Sequence, residues 1–126
     1  YLDAAAALEA LGKRSAATPA YEAAVKEWPA DALAWFALAN NQQALGQDAA
    51  AETAYRQVLR LAPTQIPASN NLALLLAQSG CKTEALAVLE PARAAAAGGP
   101  LAAELADTLR TIESSPASAP AVCNAH

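Results

Sequence analysis

Apolar positions recur at spacings of three and four residues along most of the chain, in short runs separated by glycine, proline and small polar residues. This spacing is typical of amphipathic helices, and glycine and proline commonly mark helix ends. The pattern predicts six helices that start at about residues 2, 19, 32, 49, 67 and 82. A seventh helix is predicted at 101–113, where four apolar side chains form one stripe: Leu101, Leu105, Leu109 and Ile112.

Single residues indicate where several of these helices begin or end. Asp31 and Asp48 are predicted to cap the helices that follow them, and Thr18 with Pro19 predicts the start of the second helix. Pro91 falls inside the sixth helical pattern, where its missing N–H predicts a bend or a shorter helix. The larger apolar side chains predicted to pack between helices include Trp35, Leu38, Tyr55, Leu61, Leu72, Leu76, Leu86 and Leu89. Trp28 is predicted either to pack over the repeat junction, which is favoured, or to stand partly exposed as a contact.

The chain repeats itself with a period of 34 residues. Glycine, aromatic, leucine and proline positions return at this step: Gly12, Gly46 and Gly80; Tyr21, Tyr55 and Leu89; Leu11, Leu45 and Ser79; Pro29 and Pro63. A period of 34 with a Trp, a Leu-Gly turn, a small Ala, an aromatic residue and a closing Pro resembles the tetratricopeptide repeat. That repeat is a helix-turn-helix unit that stacks into a solenoid.

The resemblance implies an all-α fold: a right-handed α-solenoid of three tetratricopeptide repeats, a C-terminal capping helix and an extended tail. The implied organisation is an array over 1–113 and a tail over 114–126 that is rich in Ser, Ala and Pro. The repeats would cover about 1–31, 32–65 and 66–99. The last helix would shield the apolar face of the third repeat.

Composition narrows the classes of function. Hydrophobic residues make up 55% of the 126 residues and aromatic residues only 5%, so alanine supplies much of the apolar share and favours helices. With 8 basic and 12 acidic residues the net charge is −4, which argues against nucleic acid as a partner. No apolar run is long enough to predict a membrane span. The single histidine lies in the tail, and no nucleophile stands beside a base, so we predict neither an enzyme nor a cofactor.

The resemblance implies a concave groove along the first helix of each repeat, where a peptide or a partner protein would bind. By register, the groove positions are Phe36, Asn40, Gln43, Asn70, Asn71, Leu74 and Gln78, with Glu9 from the first repeat. Asn40 and Asn71 are spaced like the paired asparagines that hold a C-terminal carboxylate in some members. The basic residues of that subset would fall on Phe36, Leu101 and Leu105. None of these is basic, so we predict an apolar groove with amide groups instead.

The asparagines also have a structural interpretation, in which they face solvent or cap neighbouring backbone. Both interpretations stay open for Asn40 and Asn71. The structural one is favoured for Asn41 and Asn70. Carboxylates such as Glu52 and those at positions 84 and 104 have the spacing of solvent-facing residues and are predicted to be solubilising.

Cys81 and Cys123 are predicted to form a disulfide that pins the tail. In a solenoid the last helix would run parallel to the first helix of the preceding repeat, so it would end near the turn that carries Cys81. Neighbouring helices lie roughly 8–10 Å apart. The residues between 113 and Cys123 can extend up to about 33 Å, which is enough to return to that turn. Two free thiols are the alternative. A zinc site is disfavoured, because Cys81, Cys123 and His126 supply too few ligands for zinc, which takes four.

Three functions stay open. The first is a non-enzymatic module that binds a peptide or a protein in the groove. The second is an accessory domain: the strings AWFALANNQQALGQ and NNLALLLAQSGC resemble the repeat region that follows a papain-like (C39-type) cysteine peptidase domain in some bacterial envelope proteins. Any catalytic residues would then lie upstream. The third is self-assembly into a homo-oligomer. The disulfide and the second resemblance indicate the periplasm or cell envelope, with the cytoplasm as the alternative.

Overall fold

The computed structural model describes residues 2–115, with side chains from residue 6 onward, and contains seven α-helices and no strand in that range. The helices are α1 (Leu2–Ala10), α2 (Arg14–Glu27), α3 (Ala32–Ala44), α4 (Asp48–Leu61), α5 (Ile66–Gln78), α6 (Lys82–Ala96) and α7 (Ala102–Glu113). The chain divides into two compact units. Unit 1 is Tyr1–Pro63 and holds α1 to α4, and unit 2 is Thr64–His126 and holds α5 to α7. The all-α prediction is confirmed.

The turns inside the helical hairpins depend on glycines with a left-handed backbone. Gly46 has a φ of 77° and Gly80 a φ of 84°, and an added Cβ would meet no atom within 4 Å at either position. Across the first of these turns the Gln47 amide donates to the Gln42 carbonyl at 2.9 Å, which satisfies one of the last carbonyls of α3. Backbone conformation, and not lack of space, therefore requires glycine at this position of the period.

The predicted N-terminal caps are confirmed only in part. The Asp31 carboxylate accepts from the amide of Leu33 at 3.0 Å and from that of Ala34 at 3.4 Å, so it caps α3 as expected. Asp48 is instead the first residue of α4, and Gln47 precedes it without a side-chain cap. A carboxylate in the first turn still interacts favourably with the helix dipole.

Two prolines lie inside helices, which corrects two predictions. α2 begins at Arg14 rather than near residue 19, so Thr18 does not cap it; the Thr18 hydroxyl instead donates to Asn41 Oδ1 of α3 at 2.6 Å. Pro19 therefore stands in the interior of α2. Pro91 stands inside α6, which continues beyond it, so the helix is not shortened there, and a bend at Pro91 stays a prediction. Each proline removes one helical hydrogen bond, and packing of the helix against its neighbours compensates for that loss.

Small and aromatic side chains together form the core of unit 1. Ala17 and Ala51, one period apart, are completely buried, and the rings of Tyr21 and Tyr55 occupy the space beside them. The residues that build the core between α1, α2 and α3 are Ala17, Tyr21, Ala24, Val25, Ala34 and Leu38. Because alanine has no side chain beyond Cβ, these positions leave room for one large ring in each hairpin.

Several apolar side chains are less buried than predicted. Leu61, the last residue of α4, is 36% exposed, and Trp28, which follows the last residue of α2, is 44% exposed. The exposure of Trp28 agrees with the less favoured of its two predicted placements. Trp35 is half-buried, and its indole N–H donates to the Pro29 carbonyl at 2.8 Å. Leu86 is also only half-buried. The indole needs an acceptor for its N–H, which keeps the Trp35 ring at the edge of the core.

Leucine and isoleucine dominate the core of unit 2. The completely or almost completely buried side chains are Leu72, Leu76, Leu89, Leu105 and Ile112. α7 packs against α5 and α6, so the predicted stripe on α7 does face the core. Lys82 Nζ donates to the carbonyl of Glu113 at 2.6 Å and to that of Ser115 at 3.4 Å. This positive charge stabilises the C-terminal end of α7.

Candidate functional site

In unit 1, one face of α3 carries the three predicted groove residues of the middle repeat. Phe36, Asn40 and Gln43 are separated by four and three residues, so they lie on the same side of the helix. Asn40 is exposed, and Phe36 and Gln43 are half-buried. α3 contains no charged residue. The face therefore combines one apolar ring with two carboxamides and no charge.

The buried ring of Tyr55, on α4, contacts the residues of this face. Its hydroxyl lies 2.5 Å from Asn40 Oδ1 and 2.7 Å from Gln43 Oε1. Its ring lies 6.1 Å from that of Phe36, between centroids, and is tilted by 58°. A phenol has one proton to donate, so it serves one amide oxygen at a time. Tyr55 thus lies within reach of all three residues of the face while remaining completely buried itself.

Glu9 has a different role from the predicted one. It is half-buried, and each of its carboxylate oxygens accepts a hydrogen bond: Oε1 from the Tyr21 hydroxyl and Oε2 from Asn41 Nδ2 at 3.2 Å. Asn41 is completely buried, and it also donates to the Arg14 carbonyl at 2.9 Å. Glu9 and Asn41 therefore connect α1, α2 and α3, in agreement with the structural interpretation of Asn41.

The environment of Tyr21 changes its acidity. Burial, followed by the hydrogen bond to Glu9 and the charge of that carboxylate, raises the pKa of the Tyr21 phenol above its ordinary value. All three causes favour the neutral phenol, so Tyr21 acts as a hydrogen-bond donor to Glu9 and not as a base. The pair has the same spacing of 12 residues as Tyr55 and Gln43.

In unit 2, the predicted groove residues of α5 divide into two groups. Asn71 and Leu74 are half-buried and Gln78 is exposed, so all three are open to a partner to some extent. Asn70 is only 7% exposed, and its Oδ1 accepts from the Thr108 hydroxyl of α7 at 2.5 Å. Asn70 therefore belongs largely to the packing between α5 and α7, in agreement with its structural interpretation.

Sequence reasoning missed the two hydroxyl residues that hold these amides, Tyr55 and Thr108. Tyr55 was predicted to be core only, and Thr108 was not singled out. A signal for the first exists in the sequence, because Tyr21 and Tyr55 both follow a residue that can accept a hydrogen bond, Glu9 or Gln43, at the same distance in the chain. No comparable signal exists for Thr108, whose contact joins residues 38 positions apart.

The cysteine pairing is not tested by the structure. Cys81 is completely buried at the start of α6, while Cys123 and His126 lie outside the described residues. The disulfide stays a prediction. Within residues 2–115, no three His, Cys, Asp or Glu side chains come together as metal ligands would. No helix in that range is both long and apolar enough to cross a membrane.

Unit 1 also has an open depression of about 480 Å³ near the first hairpin turn. Its lining residues are Gly12, Lys13, Arg14, Ser15, Ala16, Ala44 and Leu45. None of the predicted groove residues borders it. This depression is therefore separate from the face on α3.

Comparisons with known proteins agree with the helical repeats. Residues 1–41 match one family model and residues 32–65 another, and both models describe the tetratricopeptide repeat. A search of curated proteins gave no match.

Solved structures similar to this chain include one chaperone and two complexes with a partner. The type III secretion translocator chaperone SycD of Yersinia enterocolitica is 23% identical, with a TM-score of 0.81 over 88% of this chain and 79% of that chain. PcrH, in complex with the chaperone binding region of PopD, is 23% identical, with a TM-score of 0.80 over 88% and 86%. The TPR2B domain of yeast Sti1, in a complex with pHsp70, is 19% identical, with a TM-score of 0.78 over 86% and 90%.

These similarities show the fold, and none of them points to a cysteine peptidase. The family models cover the first two repeats, and the structural matches extend over most of the chain. The chain therefore contains tetratricopeptide repeats within residues 1–65, and it has the fold of the tetratricopeptide-repeat solenoids.

Proposed function

We propose that this protein is a non-enzymatic interaction module that binds a peptide or a partner protein on the α3 face of unit 1, and that the α5 face of unit 2 is a binding surface in its own right. The observation that carries the proposal is the α3 face, where buried Tyr55 holds the amides of Asn40 and Gln43 beside the Phe36 ring. Similar folds support it: SycD has been solved with a peptide of YopD, and PcrH with the chaperone binding region of PopD.

The chemistry of the face suits the main chain of an extended peptide. A peptide backbone offers a donor and an acceptor at each residue, and a carboxamide offers both as well. Phe36 adds apolar contact for ligand side chains on the α3 face, and Leu74 does the same on the α5 face. Because α3 and α5 contain no charged residue, the partner segment should be recognised by its backbone and apolar side chains rather than by charge.

A peptide-display selection tests the proposal. The purified chain is used to select binders from a library of random peptides, and the most enriched sequence is synthesised with a fluorophore for anisotropy titration. Replacing both Asn40 and Asn71 by alanine should weaken binding roughly 10- to 30-fold, because each lost hydrogen bond is worth about 1 kcal/mol. Far-UV circular dichroism should show that the double variant keeps its helices.

A matched control distinguishes the loss of an amide on the binding face from the loss of an amide elsewhere on the surface. Gln47 is exposed in the turn before α4 and makes no side-chain cap, so Gln47→Ala should bind as tightly as the unchanged protein. Failure to enrich any peptide would remove the proposal. Unchanged affinity in the folded double variant would show that the peptide binds elsewhere and would remove the α3 and α5 faces from it.

Two other functions predicted from the sequence have no observation in their favour among the described residues. They are docking for an upstream peptidase and self-assembly. Sedimentation of the same protein at several concentrations tests the second, since an assembling chain would gain mass with concentration. A periplasmic or envelope location depends on the predicted disulfide and is tested together with it.

A further inference from the structure

α5 has one face that the described chain leaves partly open. Asn71 and Leu74 are half-buried and Gln78 is exposed, and spacings of three and four residues place all three on one side of the helix. All other residues from 68 to 77 are buried. These three side chains form the α5 face, which ends at Gln78, just before the turn to α6.

The described part of unit 2 ends beside that same turn. Lys82, the first residue of α6, donates through Nζ to the Glu113 carbonyl at 2.6 Å and to the Ser115 carbonyl at 3.4 Å. Lys82 follows Gln78 by four residues, across the turn. The chain therefore continues beyond Ser115 from the end of unit 2 where the α5 face stops.

The segment that follows, 116–126, is long enough to cover the whole α5 face. Asn71 and Gln78 are separated by about 10 Å along the helix axis, at 1.5 Å for each residue. An extended segment of this length spans up to about 36 Å. The segment can therefore leave Ser115, return along α5 as far as Asn71 and still have residues to spare.

The composition of the segment suits this face. Residues 116–122 read PASAPAV and contain no charged side chain, and α5 contains none either. No charge would therefore have to be buried without a counter-charge. The prolines and Val122 supply apolar contact for Leu74. Proline also reduces the entropy lost on binding, because its φ is already restricted.

We propose that residues 116–122 lie on the α5 face of their own chain and compete there with a bound peptide. The inference rests on the proposed function, and it adds a means of regulating the α5 face. A second copy of the chain would lose translational and rotational freedom on binding, whereas the segment is already linked to unit 2. A tethered segment acts at an effective concentration of about 1 mM, so a dissociation constant of about 0.1 mM would weaken peptide binding about tenfold.

Exchange of the segment for a neutral, flexible one tests the competition. In the exchanged chain, Gly-Ser repeats of the same length replace residues 116–122, which leaves Cys123 and its predicted pairing with Cys81 in place. Peptides are selected with both chains, and one whose binding is weakened by Leu74→Ala is used for anisotropy titration. The exchanged chain should bind it about five- to tenfold more tightly than the unchanged protein. A synthetic PASAPAV peptide should displace it from the exchanged chain, with half displacement at about 0.1 mM.

Cross-linking locates the segment directly. A photoreactive benzophenone side chain is introduced at position 78 in one chain, and in the control at position 87, which is exposed on α6. After illumination of dilute protein, mass spectrometry should find residues 116–122 joined to position 78 and not to position 87.

The outcomes separate the inference from the proposed function. If the exchanged chain binds the peptide no more tightly, or if positions 78 and 87 cross-link to the segment equally, the inference is wrong while the proposed function stands. A cross-link from position 78 to a second copy would also make the inference wrong, because another chain would then occupy the face. If neither chain enriches a peptide, the proposed function fails, and the cross-links alone decide whether the segment lies on α5.

Discussion

Removing the Asn41 side chain should destabilise unit 1 by far more than removing the asparagine beside it. Asn41 is completely buried, and it makes three hydrogen bonds: it accepts from the Thr18 hydroxyl at 2.6 Å and donates to Glu9 Oε2 at 3.2 Å and to the Arg14 carbonyl at 2.9 Å. One carboxamide thereby joins α1, α2 and α3. Asn41→Ala removes all three bonds at once and leaves a small cavity.

The loss of unfolding free energy in Asn41→Ala can be worked out from the three groups that lose their hydrogen bond to Asn41. A net contribution of about 1 kcal/mol for each neutral bond, and somewhat more for the bond to the Glu9 carboxylate, gives a loss of about 3 kcal/mol. Thr18 and Glu9 are only half-buried, so water can hydrogen-bond to their polar groups once the Asn41 side chain is gone. The loss of unfolding free energy therefore stays near this value. Domains of this kind are stable by about 5–15 kcal/mol, so the loss is a large fraction of the total.

Asn40→Ala is the matched control, since it deletes the same group one residue earlier at an exposed position and should cost about 1 kcal/mol or less. Both tryptophans of the chain, Trp28 and Trp35, lie in unit 1, so urea unfolding followed by tryptophan fluorescence reports on that unit. If Asn41→Ala and Asn40→Ala lower the unfolding midpoint equally, the buried network does not stabilise unit 1 and the reasoning is wrong.

Three further predictions follow from single residues. Because the pKa of Tyr21 is raised in the folded state, stability should be complete below about pH 10 and fall as the pH rises further; Tyr21→Phe should reduce that fall in urea unfolding at pH 9 to 11, and an equally steep fall would contradict it. Gly46→Ala should cost about 1–2 kcal/mol in urea unfolding, and Gly46→Asn less, because asparagine tolerates a φ of 77° better; equal costs would argue against backbone strain. Titration of denatured, unreduced protein should find no free thiol, whereas two reactive thiols would reject the pairing of Cys81 with Cys123.

The fold could be predicted from the sequence because its signals are local and repeated. The glycines one period apart have a left-handed backbone, and Ala17, Ala51 and Ala85, which are also one period apart, are each completely buried. A position that must be small, or must adopt positive φ, carries the same residue type, alanine or glycine, in every repeat. The existence and order of the helices can be predicted from these recurring positions.

Errors arose where a distant contact overrides a local signal. Thr18 followed by Pro19 is a helix start by local rules, yet the Thr18 hydroxyl bonds to Asn41, which is 23 residues away. Asn70 has the register of a groove residue, yet it is buried and accepts a hydrogen bond from Thr108, 38 residues away. Neither partner can be identified from spacing, because the distance along the chain has no fixed relation to contact between different helices.

The tyrosine position of the repeat shows how the second helix controls the chemistry of the first. In the first two repeats a buried tyrosine donates to a residue 12 positions earlier, Glu9 for Tyr21 and Gln43 for Tyr55. In the third repeat the equivalent residues are Leu89 and Ala77, both buried and apolar. Hydroxyl and acceptor are thus lost together, as expected if a buried phenol without an acceptor is too costly to keep. This pair of positions is therefore polar in the first two repeats and apolar in the third, while the amides of the α5 face come from other positions, Asn71 and Gln78.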